Sequence, residues 1–200
     1  MSIISGKITN KHGEPVDKAI IYIKDKFFED IKIAYTDENG NYKIEVKNQE
    51  YPYFCAVKGY KENNLEFWCQ DIDLKENLTI NATIDKLEVY GLKIFKVDGA
   101  YPGLMIYFRP MSLANHLKGL SDLCPDIDKF EATINDEKVD IYVKNQVEEF
   151  VGNGEKVKAY LLHIALPKER LKENNNYLLL QIIDKDGNLG QAGSFFKFSK

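Results

Sequence analysis

Residues 35–46 read YTDENGNYKIEV. An acidic, glycine-centred stretch at 36–41 runs into an alternating, strand-like stretch at 42–46. A related stretch, DKDGN, occupies 184–188. Two readings compete at both places: a calcium loop, or the turn of a β-hairpin. An EF-hand loop needs oxygen ligands at its first, third and fifth positions, glycine at the sixth and a bidentate glutamate at the twelfth. Counted from Asp37, glycine falls fourth, Tyr42 sixth and Asn48 twelfth. Counted from Asp184, glycine again falls fourth, with Leu189 sixth and Phe195 twelfth. Asp37, Asn39 and Asn41 offer three oxygens, where calcium takes about six to eight. The turn reading therefore wins. Asn-Gly is a favoured two-residue hairpin turn because both residues tolerate positive φ, so each stretch is expected to close a hairpin.

Outward from this turn the pattern has period two. IYIKD (21–25), IKIAY (31–35), YKIEV (42–46) and LTINATI (78–84) alternate apolar with polar side chains, and FCAV (54–57) and LEFW (65–68) are more apolar. Alternation marks strands with one buried face. HGEP at 12–15, ENGN at 38–41, KGY at 58–60 and KEN at 75–77 punctuate these runs. A second set follows: VYGLKIFKV (89–97), GLMIYF (103–108), FEATI (130–134), VDIYV (139–143), VKAYLLHIAL (157–166), YLLLQIID (177–184) and FFKF (195–198). Between them lies an irregular insert at 110–128, where Leu113, Leu117 and Leu120 stand at helical spacing ahead of Pro125. The expected fold is all-β: two Greek-key β-sandwich domains, 1–86 and 87–200, with a short helix in the insert of the second. The linker at 85–87 is short, so the two should touch.

Composition narrows the function. The chain has 200 residues, a net charge of −4 and 29% charged residues, with its lysines and arginines dispersed. Phosphate neutralisation needs a basic patch, so no nucleic-acid partner is expected. The longest apolar runs are too short for a membrane-spanning helix, and no membrane insertion is expected. The N-terminus lacks a basic segment followed by an apolar core. That points to the cytoplasm, with the cell surface or secretion as the alternative for a trimmed chain. Cys55, Cys69 and Cys124 are three thiols without a CxxC pair. They read as free and mostly buried, and a Cys55–Cys69 bridge stays open if the protein is exported.

The first half resembles the carboxypeptidase regulatory-like family, small transthyretin-like (prealbumin-type) sandwiches. The resemblance rests on Gly13 and Pro15, then Ala19, Ile21 and Ile23, then Thr36, Asp37, Gly40 and Tyr42, then Gly59 and Tyr60, in that order across 3–84. It implies a fold more than a function. The second half is similar to bacterial immunoglobulin-like domains, through Leu171, Tyr177 and the Asp184-x-Asp186-Gly187-Asn188 turn. That resemblance implies that Tyr177 forms a tyrosine corner, its hydroxyl bonding to backbone upstream. Hydroxyisourate hydrolases share the transthyretin-like fold but end in Tyr-Arg-Gly-Ser; this chain ends Phe196-Lys197-Phe198-Ser199-Lys200, so their chemistry is not expected.

No catalytic set, metal site or cofactor site is read from the sequence. His12 lies in a turn and His163 on a strand. His116 lies near Asp122, Cys124, Asp126 and Asp128, which raises a metal cluster against the plainer reading of solvated loop acids. Asn77 and Asn81 head glycosylation-type triplets that overlie a strand. Aromatic residues make up 12% of the chain, and flat rings beside planar polar groups suit sugars or peptides. The candidate binding residues are Trp68, beside Gln70 and Asp71, together with Tyr101, Tyr107, Arg109, Asn115 and His116 around the insert. The function these imply is a non-catalytic module that presents loops to a polysaccharide or protein partner. A structural spacer and a hydrolase working in the inter-domain cleft are the alternatives.

Overall fold

The computed structural model describes residues 1–97, 99, 101–167, 169 and 171–198; Ser199 and Lys200 of the C-terminal motif comparison lie outside them. The first half holds β1 (Ser2–Thr9), β2 (Ile20–Lys24), β3 (Asp30–Tyr35), β4 (Asn41–Val46), β5 (Glu50–Val57), β6 (Phe67–Asp73), β7 (Leu78–Thr79) and β8 (Ala82–Thr83). The second holds β9 (Leu87–Phe95), β10 (Gly103–Ser112), α1 (Leu113–Leu117), β11 (Ile127–Ile134), β12 (Glu137–Val139), β13 (Ile141–Gly152), β14 (Glu155–Ala165), β15 (Asn176–Asp184) and β16 (Leu189–Phe196). The architecture is an all-β sandwich.

Alternation places the cores. In β4, Tyr42, Ile44 and Val46 point inward, and in β15 every second residue from Asn176 to Asp184 is buried. One hydrophobic cluster centres on Ile4, Ile8, Ile21, Phe54 and Phe67, the other on Val89, Ile106, Phe108, Leu162 and Leu180. Each fully buried side chain of this size stabilises the fold by roughly 1.5–3 kcal/mol.

The halves do more than touch. β6 pairs in parallel with β16, Trp68 to Ala192 and Gln70 to Ser194. One sheet of order β12-β11-β15-β16-β6-β5-β2-β3 thus runs through the whole molecule. Two smaller sheets cover it: β4-β1-β7 with β8 on β1, and β13-β14-β10-β9. Phe195 of β16 belongs to the first cluster, and Tyr177 and Leu179 pack against it. Asp85 ties the junction, its carboxylate accepting from Leu189 N at 2.9 Å while its carbonyl accepts from Leu65 N at 2.8 Å.

The opening stretch is a turn of a kind that recurs four times. In residues 10–14, 25–29, 37–41 and 184–188, the first residue's Oδ1 accepts the backbone N–H two and four residues on, at 2.8–3.1 Å. Its own N–H reaches the fifth carbonyl, and its carbonyl accepts from the fourth N–H. The fourth residue has positive φ: Gly13 at 79°, Phe28 at 64°, Gly40 at 76° and Gly187 at 75°. Asn39 does not, so the loop is not the expected two-residue Asn-Gly turn. Between strands, 184–188 and 25–29 close hairpins, β15 to β16 and β2 to β3, while 10–14 closes a single antiparallel bridge from Thr9 to Pro15. The 37–41 loop instead carries the chain from the long sheet to a covering one, since β3 pairs β2 and β4 pairs β1. Thr36 fastens this corner: its hydroxyl donates to Val16 O at 2.6 Å and accepts from Ala19 N at 2.8 Å.

Several expectations change. The strand read at 78–84 breaks into β7 and β8, whose neighbours Asn77 and Asn81 accept from Ile3 N and Lys7 N at 2.9 Å. These asparagines pin β1. β10 runs through Pro110 to Ser112 and β11 begins at Ile127, so the insert is shorter than 110–128 at both ends. Its helix stops at Leu117, well before Pro125, and only Leu113 is buried; Leu117 and Leu120 face solvent. The run at 139–143 breaks at Asp140, where the chain switches sheets. The last strand starts at Leu189 rather than Phe195. Tyr177 forms no tyrosine corner: its hydroxyl is buried without a hydrogen-bond partner among the described residues, close enough to Gly193 to exclude a side chain there. The tyrosine that bonds back to upstream backbone is Tyr51, to Lys47 O at 2.8 Å.

Candidate functional site

On the face of the long sheet away from the first core, Tyr53, Cys55, Trp68 and Gln70 stand together, because Cys55 pairs with Trp68 and Tyr53 with Gln70 across β5 and β6. Cys69 pairs with Phe54 and faces the opposite side, into the core. Adjacent strand residues point to opposite faces, so Cys55 and Cys69 are separated by the sheet. All three cysteines are free and buried, and the bridge left open by the sequence does not form.

The Asp25 loop folds over this face. Phe28 stacks on Tyr53 with ring centroids 4.4 Å apart and planes 15° apart. Trp68 stands edge-on to both, at 6.2 Å from Phe28 and 6.3 Å from Tyr53. Phe28 occupies the left-handed position that glycine holds in the other three loops, which costs an L-residue about 1–2 kcal/mol. The residue is nevertheless 55% exposed, so core packing does not explain it.

Phe28, Tyr53, Trp68, Gln70, Tyr90, Gly91 and Lys93 line a hollow of about 230 Å³. Gly91, at φ 65°, lies where the β9–β10 register shifts, and such a bulge re-aims neighbouring side chains. Gln70 is 6% exposed and lines the hollow, and its side-chain amide makes no hydrogen bond among the described residues. Its polar atoms are not among the buried ones that lack a partner, so the amide opens into the hollow, where a ligand can use its donors and acceptor.

Two carboxyl groups lie behind Trp68. The indole N–H donates to Glu66 Oε2 at 3.2 Å. Glu88, on β9, is 2% exposed, and its Oε2 has no partner among the described residues. Burial, then the Glu66 charge, pushes the Glu88 carboxyl up to about 8. Burial also raises Glu66. At neutral pH Glu88 is therefore protonated, and the floor behind the rings carries less negative charge than its sequence suggests. Glu88 lines neither this hollow nor its neighbour, so no substrate placed there touches it.

Tyr90 is shared with a second hollow of about 270 Å³, walled by Arg109, Pro110, Met111, Lys158 and the 121–124 segment. The Arg109 guanidinium lies 4.8 Å over the Tyr90 ring, and its Nε is 3.4 Å from Glu149 Oε2. Tyr107 donates to the same Glu149 oxygen; burial first, then this carboxylate, pushes its hydroxyl up to about 12.

Of the residues expected from the sequence, Trp68 lines the first hollow and Arg109 the second. Tyr107 stands beside Arg109 on Glu149. Asn115 is structural: its amide donates to Leu123 O at 3.4 Å and holds the wall of the second hollow. His116 closes α1, its carbonyl accepting from Gly119 N at 2.9 Å. No group of three or more His, Cys, Asp or Glu able to hold a metal forms among the described residues; Asp122 instead accepts from Cys124 N at 3.0 Å. Tyr101 packs edge-on to Tyr142 at 5.5 Å. It lies beyond Gly103, at the opposite end of β10 from Arg109, roughly 20 Å away at a strand's rise per residue. Phe28, Tyr53, Tyr90, Glu66 and Glu88 were not singled out in the sequence. One signal was readable: aligned with NKHGE, DENGN and DKDGN, the stretch DKFFE puts Phe28 in the glycine column.

No protein-family model matches the chain, and no curated protein does. Among solved structures, a DUF3823 family protein from Bacteroides ovatus aligns over 98% of this chain and 100% of its own, at 12% identity and a TM-score of 0.32. A Bacteroides uniformis protein named for a presumed carbohydrate-binding role aligns over 98% and 99%, at 14% identity and 0.36. The major pilin subunit of Bacillus cereus, BcpA, aligns over 96% of this chain and 67% of its own, at 15% identity and 0.33. Scores this low give none of the three any functional weight. No described helix is long and apolar enough to cross a membrane.

Proposed function

We propose that this protein is a non-catalytic glycan-binding module whose contact surface is the corner made by Phe28, Tyr53, Trp68 and Tyr90. The observation that carries the reading is Gln70, whose amide opens into the hollow without a partner among the described residues, set among the rings of Phe28, Tyr53, Trp68 and Tyr90. Rings cover the apolar face of a sugar, and an amide both donates to and accepts from its hydroxyls. Phe28 supports the same reading, since backbone strain is retained there for an exposed aromatic residue. Rigidity adds to it. Trp68 and Gln70 lie on the parallel β6–β16 pair at the centre of the long sheet, so little ordering is needed on binding.

We prefer this reading to the hydrolase alternative because Glu66 and Glu88 line neither of the two hollows described above. The assignment of 1–86 to a carboxypeptidase regulatory-like domain and of 87–200 to an immunoglobulin-like one remains part of this proposal. On this division the ligand surface straddles the boundary, with Tyr90 contributed by the second half. The test is capture on an array of bacterial and host glycans. Saturable binding that Trp68→Ala and Gln70→Ala each reduce, with unchanged urea melts of Gln70→Ala, supports the reading. A blank array from folded protein rejects it in favour of a protein partner or a spacer.

A further inference from the structure

The second hollow says what kind of glycan fits. It shares Tyr90 with the aromatic hollow, so a chain lying on Trp68 continues across Tyr90 into a site walled by Arg109 and Lys158. Arg109 is held in place by stacking on Tyr90 and by Glu149. Lys158 is exposed and has no ion pair among the described residues. Lys93 adds a third cation on the aromatic side. Two carboxylates answer them: Glu149, which pairs with Arg109 and also accepts from Tyr107, and Asp122, which lines the hollow and accepts from Cys124 N. Three cations against two carboxylates leave one net positive charge beside an aromatic platform, in a chain whose net charge is −4. A guanidinium fixed over a ring presents its remaining N–H groups to carboxylate or sulfate oxygens, which it binds through charge-assisted hydrogen bonds.

Resting on the glycan reading above, we propose that the ligand is an acidic polysaccharide, with an anionic ring substituent seated between Arg109 and Lys158 while the neighbouring sugar covers Trp68. The experiment is calorimetry of the full chain with four probes: oligogalacturonate, its methyl ester, a heparin fragment, and the same fragment desulfated and carboxyl-reduced. The expected result is that an acidic probe binds at least about tenfold tighter than its neutral counterpart, and that this preference shrinks with added sodium chloride. A preference within the galacturonate pair assigns a carboxylate, and a preference confined to the heparin pair assigns a sulfate. Lys158→Gln and Arg109→Gln should each reduce the preference and leave weak neutral binding, whereas Phe28→Gly should lower both. Equal affinity for acidic and neutral forms, or a preference that survives the Arg109→Gln/Lys158→Gln double variant, overturns the anionic assignment and leaves the glycan reading standing. Failure of folded protein to bind any of the four probes or any arrayed glycan overturns both.

Discussion

Replacing Glu88 with glutamine should make the protein more stable at neutral pH and leave it nearly unchanged at pH 5. In the unfolded chain this carboxyl ionises near its ordinary value of 4.5, whereas in the folded protein burial and the Glu66 charge hold the proton to about 8. Between those values the native state binds more proton than the unfolded state, so stability falls as pH rises through the window and levels off above it. One proton is worth about 1.4 kcal/mol per pH unit. The wild type should therefore lose about 3 kcal/mol relative to Glu88→Gln between pH 5 and pH 7, and on the order of 5 kcal/mol once pH exceeds 8. Glutamine preserves the side chain's size, and titrating groups other than the coupled Glu66 act on both proteins alike, so the difference between the two isolates this carboxyl pair. Urea unfolding at pH 5, 6, 7 and 8, followed by circular dichroism, reads it directly. A wild-type-minus-variant difference that stays within about 1 kcal/mol across the series would refute the placement of Glu88 as a buried, proton-holding acid.

Phe28→Gly removes left-handed strain of about 1–2 kcal/mol and loses ring stacking of about 0.5–1.5 kcal/mol plus some burial, so its urea midpoint should hardly move while glycan affinity drops about tenfold; a large destabilisation with intact binding would contradict the role given to this ring. Gly40→Ala adds a Cβ 2.5 Å from Ile8 O at φ +76°, whereas Gly187→Ala adds one with nothing within 4 Å at φ +75°. The first should cost about 2–4 kcal/mol and the second about 1, and equal urea melts would be the wrong outcome. Phe195→Ala should cost about 3 kcal/mol and keep a single transition, because its ring, from the last strand, completes the first core. A two-step melt that spares the second half would show that the shared sheet does not couple the halves.

Much of the strand content was legible because alternation is a local property: Tyr42, Ile44 and Val46 declare their inward face without help from the rest of the chain. The calcium question was legible for the same reason, since the fourth-place glycine of each loop excludes an EF-hand by counting alone. The shared sheet was not. It depends on residues 68–70 pairing with 192–194, and nothing local in either stretch names its partner. Tyr177 misled because a tyrosine at the head of a strand suggested a corner, while Tyr51, which makes the backbone bond, lay in a stretch read only from Phe54. Of the site, Trp68 and Arg109 were readable as single residues of the right chemistry. Glu88 was not, since a glutamate between Leu87 and Val89 looks like the solvent face of an alternating strand; only β6 packed alongside makes it buried. Tyr101 and His116 were chosen for closeness in sequence to the insert, and a strand as long as β10 separates its two ends by more than a binding site spans.

The chain contains one tryptophan, and it stands in the aromatic hollow, so its emission reports on the proposed site without labelling. The most direct measurement is a fluorescence titration of Trp68 with the glycans captured on the array. A saturable change in intensity or wavelength, at concentrations matching the calorimetric affinity and shifted to about tenfold higher concentration in Phe28→Gly, is the predicted result. An emission spectrum that stays constant while the same glycans are bound would place their site elsewhere and contradict the assignment of this corner.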